Sequence, residues 1–357
     1  MRGGAAKRWA RNAARSHGTP FQASRDRLPC CRPAHSPSRW RPMSIRVTFI
    51  FGCTGCGKGA LGRALAERLD AEIISVDSMK VYRRMDIGTA KPSAQDRTRV
   101  PHHLIDVAEP SEEFSVARFV ELADQAIRAI HHRGRPILAV GGTGLYLKAL
   151  SEGLFEGPSA DPAIRAWLKA RAAEVGPAAL HAELQAVDPV AAERIHPNDL
   201  RRIVRALEVY ELVGQPISAL QTQWDAQRSV YDCNFVGLRR ALEDQNHRTN
   251  QRVTRMIELG LVDEVRTLLA ESPPLGNTAR KAVGYAEISA HLSGRMTLAE
   301  ATEKIKINTR QLAKSQRTWF KRFRQAHWLD LEPESAAGSV ADALIAERGP
   351  SWLKSPS

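Results

Sequence analysis

The chain has 357 residues, 43% apolar and 25% charged, and these values are typical of a soluble globular protein with one to three domains. No apolar run approaches the ~18 residues that a membrane-spanning helix needs, which excludes an integral membrane protein. The five cysteines are odd in number and scattered, and no secretory segment precedes them. A disulfide scaffold is therefore excluded, and a reducing compartment is expected.

The net charge of +13 is concentrated at the N-terminus. Residues 1–42 hold ten Lys and Arg residues and one acidic residue, so +9 lies there and +4 in the other 315 residues. This stretch is rich in Pro, Ser, Gly and Arg and lacks apolar periodicity, which predicts disorder. It is either an organelle transit peptide or an overlong start before Met43. We favour the overlong start and hence a cytoplasmic location.

The first half of the chain alternates apolar strands with amphipathic helices. Continuous apolar runs at 46–52, 71–77 and 136–142 predict buried strands, and helices are predicted at about 58–68 and 114–132. This alternation is typical of βαβ units on a parallel sheet. The expected fold class is α/β with a parallel sheet core, and the glycine-rich loop between the first strand and the first helix makes this core P-loop NTPase-like.

A purely helical stretch interrupts this alternation. One helix begins at Asp161, followed by proline, and ends at Gly176; another begins at Asn198 or Asp199 and ends at Gly214. The sequence then predicts a strand at 233–240, helices at about 242–271 and 297–323, and a last strand at 327–331. The predicted domains are the core in two parts (43–154 and 226–332, the second with a basic C-terminal helix), an all-helical insertion (155–225), and a tail (333–357).

A glycine-rich loop follows the first strand and precedes the first helix. Its residues match G-x-x-x-x-G-K: Gly52, Cys53, Thr54, Gly55, Cys56, Gly57 and Lys58. Such a loop curls its backbone N–H groups around phosphate oxygens, and the helix N-terminus and the lysine add positive charge. The context therefore predicts a phosphate-binding loop. Gly59 is unusual, because nucleoside triphosphatases use a Ser or Thr hydroxyl there to hold Mg²⁺.

Cys53 and Cys56 in the same loop have C-x-x-C spacing. A zinc site would need two further ligands, and the adjacent Cys30 and Cys31 in the leader do not supply them. A redox pair near a helix N-terminus remains an alternative. We favour two small residues that fill variable loop positions.

Other polar residues lie at the expected ligand edge of the sheet. Asp77 ends the second strand, where it is either a ligand-facing residue or a cap, and Thr143 follows the third strand. The segment "PHHLID" (101–106) has two histidines and Asp106, which taken alone indicate loop packing more than ligand binding.

Several longer motifs together resemble those of tRNA dimethylallyltransferases. The motifs are "DSMKVYRRMDIGTAKP", "PHHLID", "GGTGLYLKAL", "DPVAAERIHPNDLRRIVRALEVY" and "TRQLAKSQRTWF", and the resemblance covers roughly residues 46–330 in one collinear order. Members of this family transfer a dimethylallyl group from its diphosphate to the exocyclic amine of the adenosine beside the anticodon. The resemblance implies a tRNA anticodon stem-loop and dimethylallyl diphosphate as substrates, Mg²⁺ as cofactor and a monomer.

The resemblance also implies residue roles. Asp77 resembles the general base, Thr143 the residue near the bridging oxygen of the diphosphate, and Arg252 a diphosphate-contacting arginine. Without the resemblance, Arg252 would be one of three arginines on a solvated helix face. The loop 52–59, including Gly59, would hold the diphosphate, and the adenosine would be flipped out of its stack. The residues matching tRNA-contacting positions are Asp77, Ser78, Met79, Lys80, Thr143, Arg165, Arg201, Arg202, Ile203, Val204, Arg205, Lys281, Ala282, Val283, Gly284, Tyr285 and Ala286.

A basic stripe near the C-terminus favours phosphate binding over a solvated face. No Asp or Glu occurs from 304 to 324, and Ile305, Leu312 and Trp319 recur every seven residues on another face, which is expected to be buried. The stripe consists of Lys306, Arg310, Lys314, Arg317, Lys321 and Arg324.

Four positions depart from the family pattern. Gly59 replaces Thr or Ser, so the metal ligand at this position is unknown. Lys80 replaces Gln and Arg84 replaces Gly, which would add positive charge near the RNA, and Thr249 replaces an apolar residue.

Three alternatives stay open: an adenylate isopentenyltransferase, a P-loop small-molecule kinase, and a catalytically silent tRNA-binding paralogue.

Overall fold

The structure is a computed structural model that describes residues 45–153, 157–158, 160–221 and 231–353. The leader at 1–42 lies outside the described residues. A six-stranded sheet forms the centre, with the order β3-β2-β4-β1-β5-β6, and every neighbouring pair is parallel. Its strands are β1 Arg46–Gly52, β2 Glu72–Val76, β3 His102–His103, β4 Ile137–Gly141, β5 Asp232–Arg240 and β6 His327–Leu331.

Helices cover both faces of this sheet and form a separate group beyond it. In chain order they are α1 Lys58–Leu69, α2 Ala94–Arg99, α3 Val116–His132, α4 Gly144–Glu152, α5 Pro162–Val175, α6 Pro177–Val187, α7 Pro189–Arg194, α8 Leu200–Val213, α9 Ile217–Leu220, α10 Leu242–Glu258, α11 Leu261–Ala270, α12 Asn277–Arg280, α13 Tyr285–Leu292, α14 Leu298–Phe320 and α15 Ala337–Arg348.

Two apolar cores lie on opposite faces of the sheet. Phe49 and Phe51 of β1 point into the first core, with side chains from α3, α10 and α14, whereas Ile50 points into the second, with side chains from α1 and α15. A strand buried on both faces reads as a continuous apolar run, because both sets of alternating side chains leave water. The predicted α/β fold class with a parallel sheet is confirmed.

The helices α5 to α9 have an apolar core of their own. Leu168, Leu180, Leu184 and Ile203 are buried in it together with neighbouring alanines. The predicted helix ends in this region are confirmed. Asp161 caps α5 and Asp199 caps α8, each by accepting backbone N–H groups, while Gly176 and Gly214 terminate the same helices. The domain boundaries themselves stay a prediction.

The helix predicted at 242–271 was wrong as a single element. Gly260, with φ of 96°, separates α10 from α11, and this left-handed conformation is open to glycine at little cost. The tail also contains α15, which buries only Ala341 and Leu344 and therefore has a weak apolar signal. Within the described part of the chain, no helix is long and apolar enough to cross a membrane.

Candidate active site

The glycine-rich loop turns tightly between β1 and α1. Gly55 and Gly57 have φ of 82° and 98°, in the left-handed region that favours glycine. A Cβ atom on Gly52 would lie 2.7 Å from Cys56 Sγ, and one on Gly55 would lie 2.9 Å from Thr249 Oγ1. Close contacts as well as backbone conformation therefore require these glycines.

Side chains from the C-terminal part of the chain hold this loop. Gln316 Oε1 accepts the Thr54 N–H at 2.8 Å, and Gln245 Nε2 donates to Thr54 O at 3.0 Å. Arg240 Nε donates to Cys56 O at 3.1 Å. Sequence reasoning missed these three supports, because no local pattern links them to a loop about 190 residues or more away.

The two loop cysteines are buried free thiols. Burial, with a smaller contribution from Cys56, raises the pKa of the Cys53 thiol, which disfavours the reactive thiolate. In the parts of the chain that the structure describes, no group of three or more His, Cys, Asp or Glu side chains is placed to hold a metal ion. These observations favour cysteines that fill space in the loop; Cys30 and Cys31 lie outside the described residues.

Asp77 and Thr143 meet where β2 and β4 end. Thr143 Oγ1 accepts the Ser78 N–H at 3.0 Å. Asp77 Oδ1 accepts the N–H groups of Met79 at 2.9 Å and Lys80 at 3.3 Å. Asp77 therefore stabilises its own turn through Oδ1 and also lies at the carboxyl edge of the parallel sheet, where such sheets bind ligands.

Positive charge converges on Asp77. Burial, followed by the charges of Lys58, Arg252 and Arg63, lowers the pKa of Lys80 to about 8, while Asp77 acts in the opposite direction. Burial also lowers the pKa of Arg252, against the attraction of Asp77. Because cations repel each other and desolvation disfavours charge, such a cluster is suited to binding an anion. Arg252 is thus half-buried in the site and does not belong to a solvated helix face.

A loop beside the site is fixed by Glu264 of α11. Its carboxylate accepts the N–H groups of Ile87 at 2.7 Å and Gly88 at 3.2 Å, and also the hydroxyl of buried Tyr285 at 2.6 Å. The loop continues to Thr89, whose carbonyl lies 3.5 Å from Arg252 Nη2. Glu264 thereby links the "KAVGYA" segment to the loop that contacts Arg252.

The "PHHLID" segment packs as expected from its composition. His102 Nδ1 lies 2.7 Å from Val100 O, and His103 Nε2 lies 2.7 Å from the buried Glu72 carboxylate. Asp106 accepts from Lys91 and Arg97, both at 2.6 Å. These polar groups hold β3 and the loop after it in place.

The predicted tRNA-contacting residues divide into exposed and buried groups. Arg201, Arg202 and Lys281 are exposed. Ile203 and Val204 are buried in the insertion core, and Ala282 and Tyr285 in the first core, so these side chains pack inside the protein. Gly284 is also buried, and Met79, Val283 and Ala286 are half-buried. The tRNA contacts expected at these positions stay a prediction.

Two arginines of the predicted tRNA surface bind a carboxylate within the insertion. Arg165 donates to both oxygens of Glu208, at 2.8 and 3.0 Å, and Arg205 donates to Glu208 at 2.6 Å. Glu208 is fully buried, and a buried carboxylate requires such partners. Arg165 and Arg205 therefore contribute to the fold of the insertion.

Arg84 has a similar internal role. It donates to Glu271 at 2.8 Å and to Glu109 at 2.6 Å, so its charge is balanced within the protein. This pairing argues against the expectation that Arg84 adds positive charge near the RNA. Its φ of 59° lies in the left-handed region, which explains why glycine suits this position.

The basic stripe on and after α14 is partly internal. Arg310 donates to Asn250 at 2.7 Å and Arg317 to Gln245 at 2.8 Å, and Lys306 pairs with Glu303. Lys314, Lys321 and Arg324 are exposed.

The apolar spacing predicted for α14 was wrong at one position, since Leu312 is 43% exposed. The buried line instead runs from Ala301 and Ile305 to Ala313 and Phe320. This buried line winds slowly around the helix, because seven residues make slightly less than two turns at 3.6 residues per turn.

Comparison with known proteins places this site in a family. The sequence profile described as IPP transferase matches residues 80–323. A tRNA dimethylallyltransferase from Geobacter metallireducens is 48% identical over 285 residues, 80% of this chain and 92% of the relative. One from Symbiobacterium thermophilum is 46% identical over 304 residues, 85% of this chain and 95% of the relative.

Solved structures agree. The tRNA isopentenylpyrophosphate transferase from Bacillus halodurans is 39% identical, with a TM-score of 0.61, and the match covers 85% of this chain and 96% of that one. A eukaryotic dimethylallyltransferase acting on tRNA is 28% identical, with a TM-score of 0.71 and coverage of 88% and 82%. The site thus belongs to a P-loop-like α/β transferase. The chain belongs to the IPP transferase family.

Proposed function

We propose that this tRNA-prenylating enzyme transfers a dimethylallyl group from dimethylallyl diphosphate to the N6 amine of the adenosine 3′ of the anticodon. The observation that carries the proposal is the convergence of Asp77, Thr143, Lys58 and Arg252 at the carboxyl edge of β1, β2 and β4. The fold and the family set the class of reaction, and the arrangement of these residues suits the displacement of a diphosphate.

The proposed reaction is a substitution at C1 of the dimethylallyl group. The N6 lone pair attacks C1, the C1–O bond breaks, and its electron pair stays on the diphosphate. Asp77 accepts the proton that N6 loses. Lys58, Arg252 and the loop N–H groups stabilise the negative charge that develops on the diphosphate, and Thr143 lies near the bridging oxygen.

The insertion is proposed to bind the anticodon stem-loop. Arg201 and Arg202 are exposed on α8, where they can reach phosphates, and Lys314 is exposed on α14. Arg165 and Arg205 keep α5 and α8 together by sharing Glu208. They would therefore fix the direction in which Arg201 and Arg202 point.

The residue after the loop lysine decides whether the loop itself can hold the predicted magnesium ion. Gly59 offers no side-chain oxygen ligand, and a Cβ atom there would lie 3.8 Å from Arg63 Nη1. A hydroxyl-held magnesium ion does not fit this position. If Mg²⁺ takes part, diphosphate oxygens, water and groups other than residue 59 would have to be its ligands.

The proposed function is tested with labelled dimethylallyl diphosphate and unmodified tRNA. The expected product is tRNA labelled at the adenosine 3′ of the anticodon, together with free diphosphate. A tRNA in which this adenosine is replaced by guanosine is the matched control and should stay unlabelled.

Other outcomes separate the alternatives. Label in AMP but not in tRNA would indicate an adenylate isopentenyltransferase, and phosphoryl transfer from ATP would indicate a kinase. Normal tRNA binding without any product would indicate a catalytically silent paralogue.

A further inference from the structure

Gly59 leaves an open position directly after the loop lysine. A P-loop that holds Mg²⁺ has a Ser or Thr hydroxyl here. Arg63 lies one turn further along α1, and helical side chains lean towards the N-terminus of their helix. Its Nη1 atom therefore comes within 3.8 Å of where a Cβ of residue 59 would be. The Arg63 guanidinium therefore lies close to the position that a Ser or Thr metal ligand would have.

Arg63 is anchored on its other side. Its Nε atom lies 3.5 Å from Asp96 Oδ1. Asp96 is fixed in turn, because it forms a capping box with Ser93 at the start of α2. The Arg63 side chain is 30% exposed. It is thus held at Nε by Asp96, while Nη1 approaches Gly59.

Lys80 brings a second cation beside Asp77, whose Oδ1 accepts the Lys80 N–H at 3.3 Å. It interacts electrostatically with Lys58, Arg63 and Arg252, and Asp77 is the acidic group that attracts it. Four cations around Asp77 repel each other in the free protein, even with Asp96 behind Arg63. The arrangement becomes favourable when a multivalent anion binds among them.

We propose that Arg63 and Lys80 neutralise the departing diphosphate with two fixed positive charges, in place of a magnesium ion held by a loop hydroxyl. The inference rests on the proposed function, because it takes the loop as the diphosphate site. A guanidinium donates paired hydrogen bonds to phosphate oxygens, and an ammonium acts as a compact point charge. Together they supply the same formal charge as one Mg²⁺ ion, and they are in place before the substrate binds.

The experiment measures binding of inorganic diphosphate to the full chain by calorimetry, in excess EDTA and in excess Mg²⁺. The wild-type affinity should change less than about threefold between the two conditions. The double variant Arg63→Gln/Lys80→Gln should bind about 100-fold more weakly in EDTA, about tenfold for each lost charge-assisted contact. Adding Gly59→Thr to the double variant should make binding at least about tenfold tighter in Mg²⁺ than in EDTA.

Arg68→Gln is the matched control, because it removes one positive charge from the same helix at a residue paired with Asp342 away from the loop. It should bind diphosphate like the wild type. Circular dichroism and melting temperature check the fold of the double variant, and the two single variants replace it if it does not fold.

Three results are decisive. Wild-type binding only in Mg²⁺, or a double variant as tight as the wild type in EDTA, would overturn the role of Arg63 and Lys80. Wild-type binding in neither condition would instead refute the diphosphate site and with it the proposed function.

Discussion

Gln316 of α14 accepts the Thr54 N–H at 2.8 Å, and its Nε2 atom donates to Gly142 O at 2.9 Å. One side chain therefore joins the phosphate loop after β1 to the turn after β4. This contact helps to fix the loop in addition to the loop's own glycines, because it supplies the hydrogen-bond partner of the Thr54 N–H.

Replacing Gln316 should weaken diphosphate binding. In Gln316→Glu the carboxylate still accepts from Thr54, but it cannot donate to Gly142 O and it places a negative charge beside the anion. The diphosphate dissociation constant should rise by about tenfold or more, as calorimetry would measure. Gln311→Glu, an exposed position on the same helix, is the control; equal effects of the two variants would show that the contact with the loop is unimportant.

Asp77 can be tested as a base separately from its role in the turn. Asp77→Asn keeps an oxygen that accepts from Met79 and Lys80 N–H groups, but it cannot take a proton at N6. Turnover should fall by about 10²–10⁴-fold, whereas the tRNA dissociation constant should change less than about threefold. Single-turnover kinetics and filter binding measure the two quantities. An Asn variant with more than a tenth of the wild-type turnover would contradict the role as a base.

Asp77→Ala distinguishes the two roles further. It removes the acceptor of the turn as well as the base, so it should also lower the free energy of unfolding by about 1 kcal/mol relative to Asp77→Asn. Equal stabilities of the two variants, measured by urea unfolding, would contradict the contribution of Oδ1 to the turn.

Lys80 should make stability depend on pH. Its folded-state pKa of about 8 is below the ordinary 10.5, because it is buried and faces Lys58, Arg252 and Arg63, against Asp77; it also interacts with His102. Between pH 8 and 10.5 the unfolded chain binds more protons at this residue than the folded chain. The contribution of Lys80 to the free energy of unfolding therefore rises with pH between 8 and 10.5. Below pH 8, the charged form of Lys80 lowers the free energy of unfolding.

Lys80→Gln should accordingly raise the free energy of unfolding at pH 7, by on the order of 2 kcal/mol. The gain should shrink as pH rises through 8 and vanish near 10.5. Urea unfolding of both proteins across this range measures the difference, with Lys304→Gln, at an exposed position, as control. A gain that is independent of pH would rule out the titration of Lys80 as its cause.

The insertion arginines should separate into binding and structural residues. Replacing exposed Arg201 and Arg202 by Ala should weaken tRNA binding and lower the slope of log K against log salt by about 1–2, without changing the melting temperature much. Arg165→Ala should instead lower stability by about 2 kcal/mol, because buried Glu208 then keeps Arg205 as its one charged partner among the described residues. The reverse pattern in salt titrations and melting curves would contradict this division.

Local patterns were enough to predict five of the six strands, the caps at Asp161 and Asp199, and the loop at 52–58, but not the two-residue strand β3. Each depends on neighbouring residues, such as an acidic cap before a helix or glycines between a strand and a helix. Arg63 could have been found in the same way, since it lies one helical turn after Gly59 on the first predicted helix.

Other features depend on distant parts of the chain. The bonds of Gln316 and Gln245 to the loop, and of Arg84 to Glu271, join residues that are close only after folding. For the same reason, a family match could not distinguish exposed Arg201 from Arg165, whose charge is neutralised by Glu208. The resemblance implies an RNA contact at both, and only the packing of α5 against α8 separates them.

The contact between Thr54 and Gln316 spans 262 residues of sequence. On the ribosome, the loop therefore emerges on the order of tens of seconds before the helix that holds it, at synthesis rates of about 5–20 residues per second. Throughout that interval the loop lacks the hydrogen bond from Gln316, and for most of it the loop also lacks the one from Gln245, 191 residues after Thr54. The nascent chain thus completes the strand that carries its phosphate site early, but the binding site itself is complete only after α14 has been synthesised.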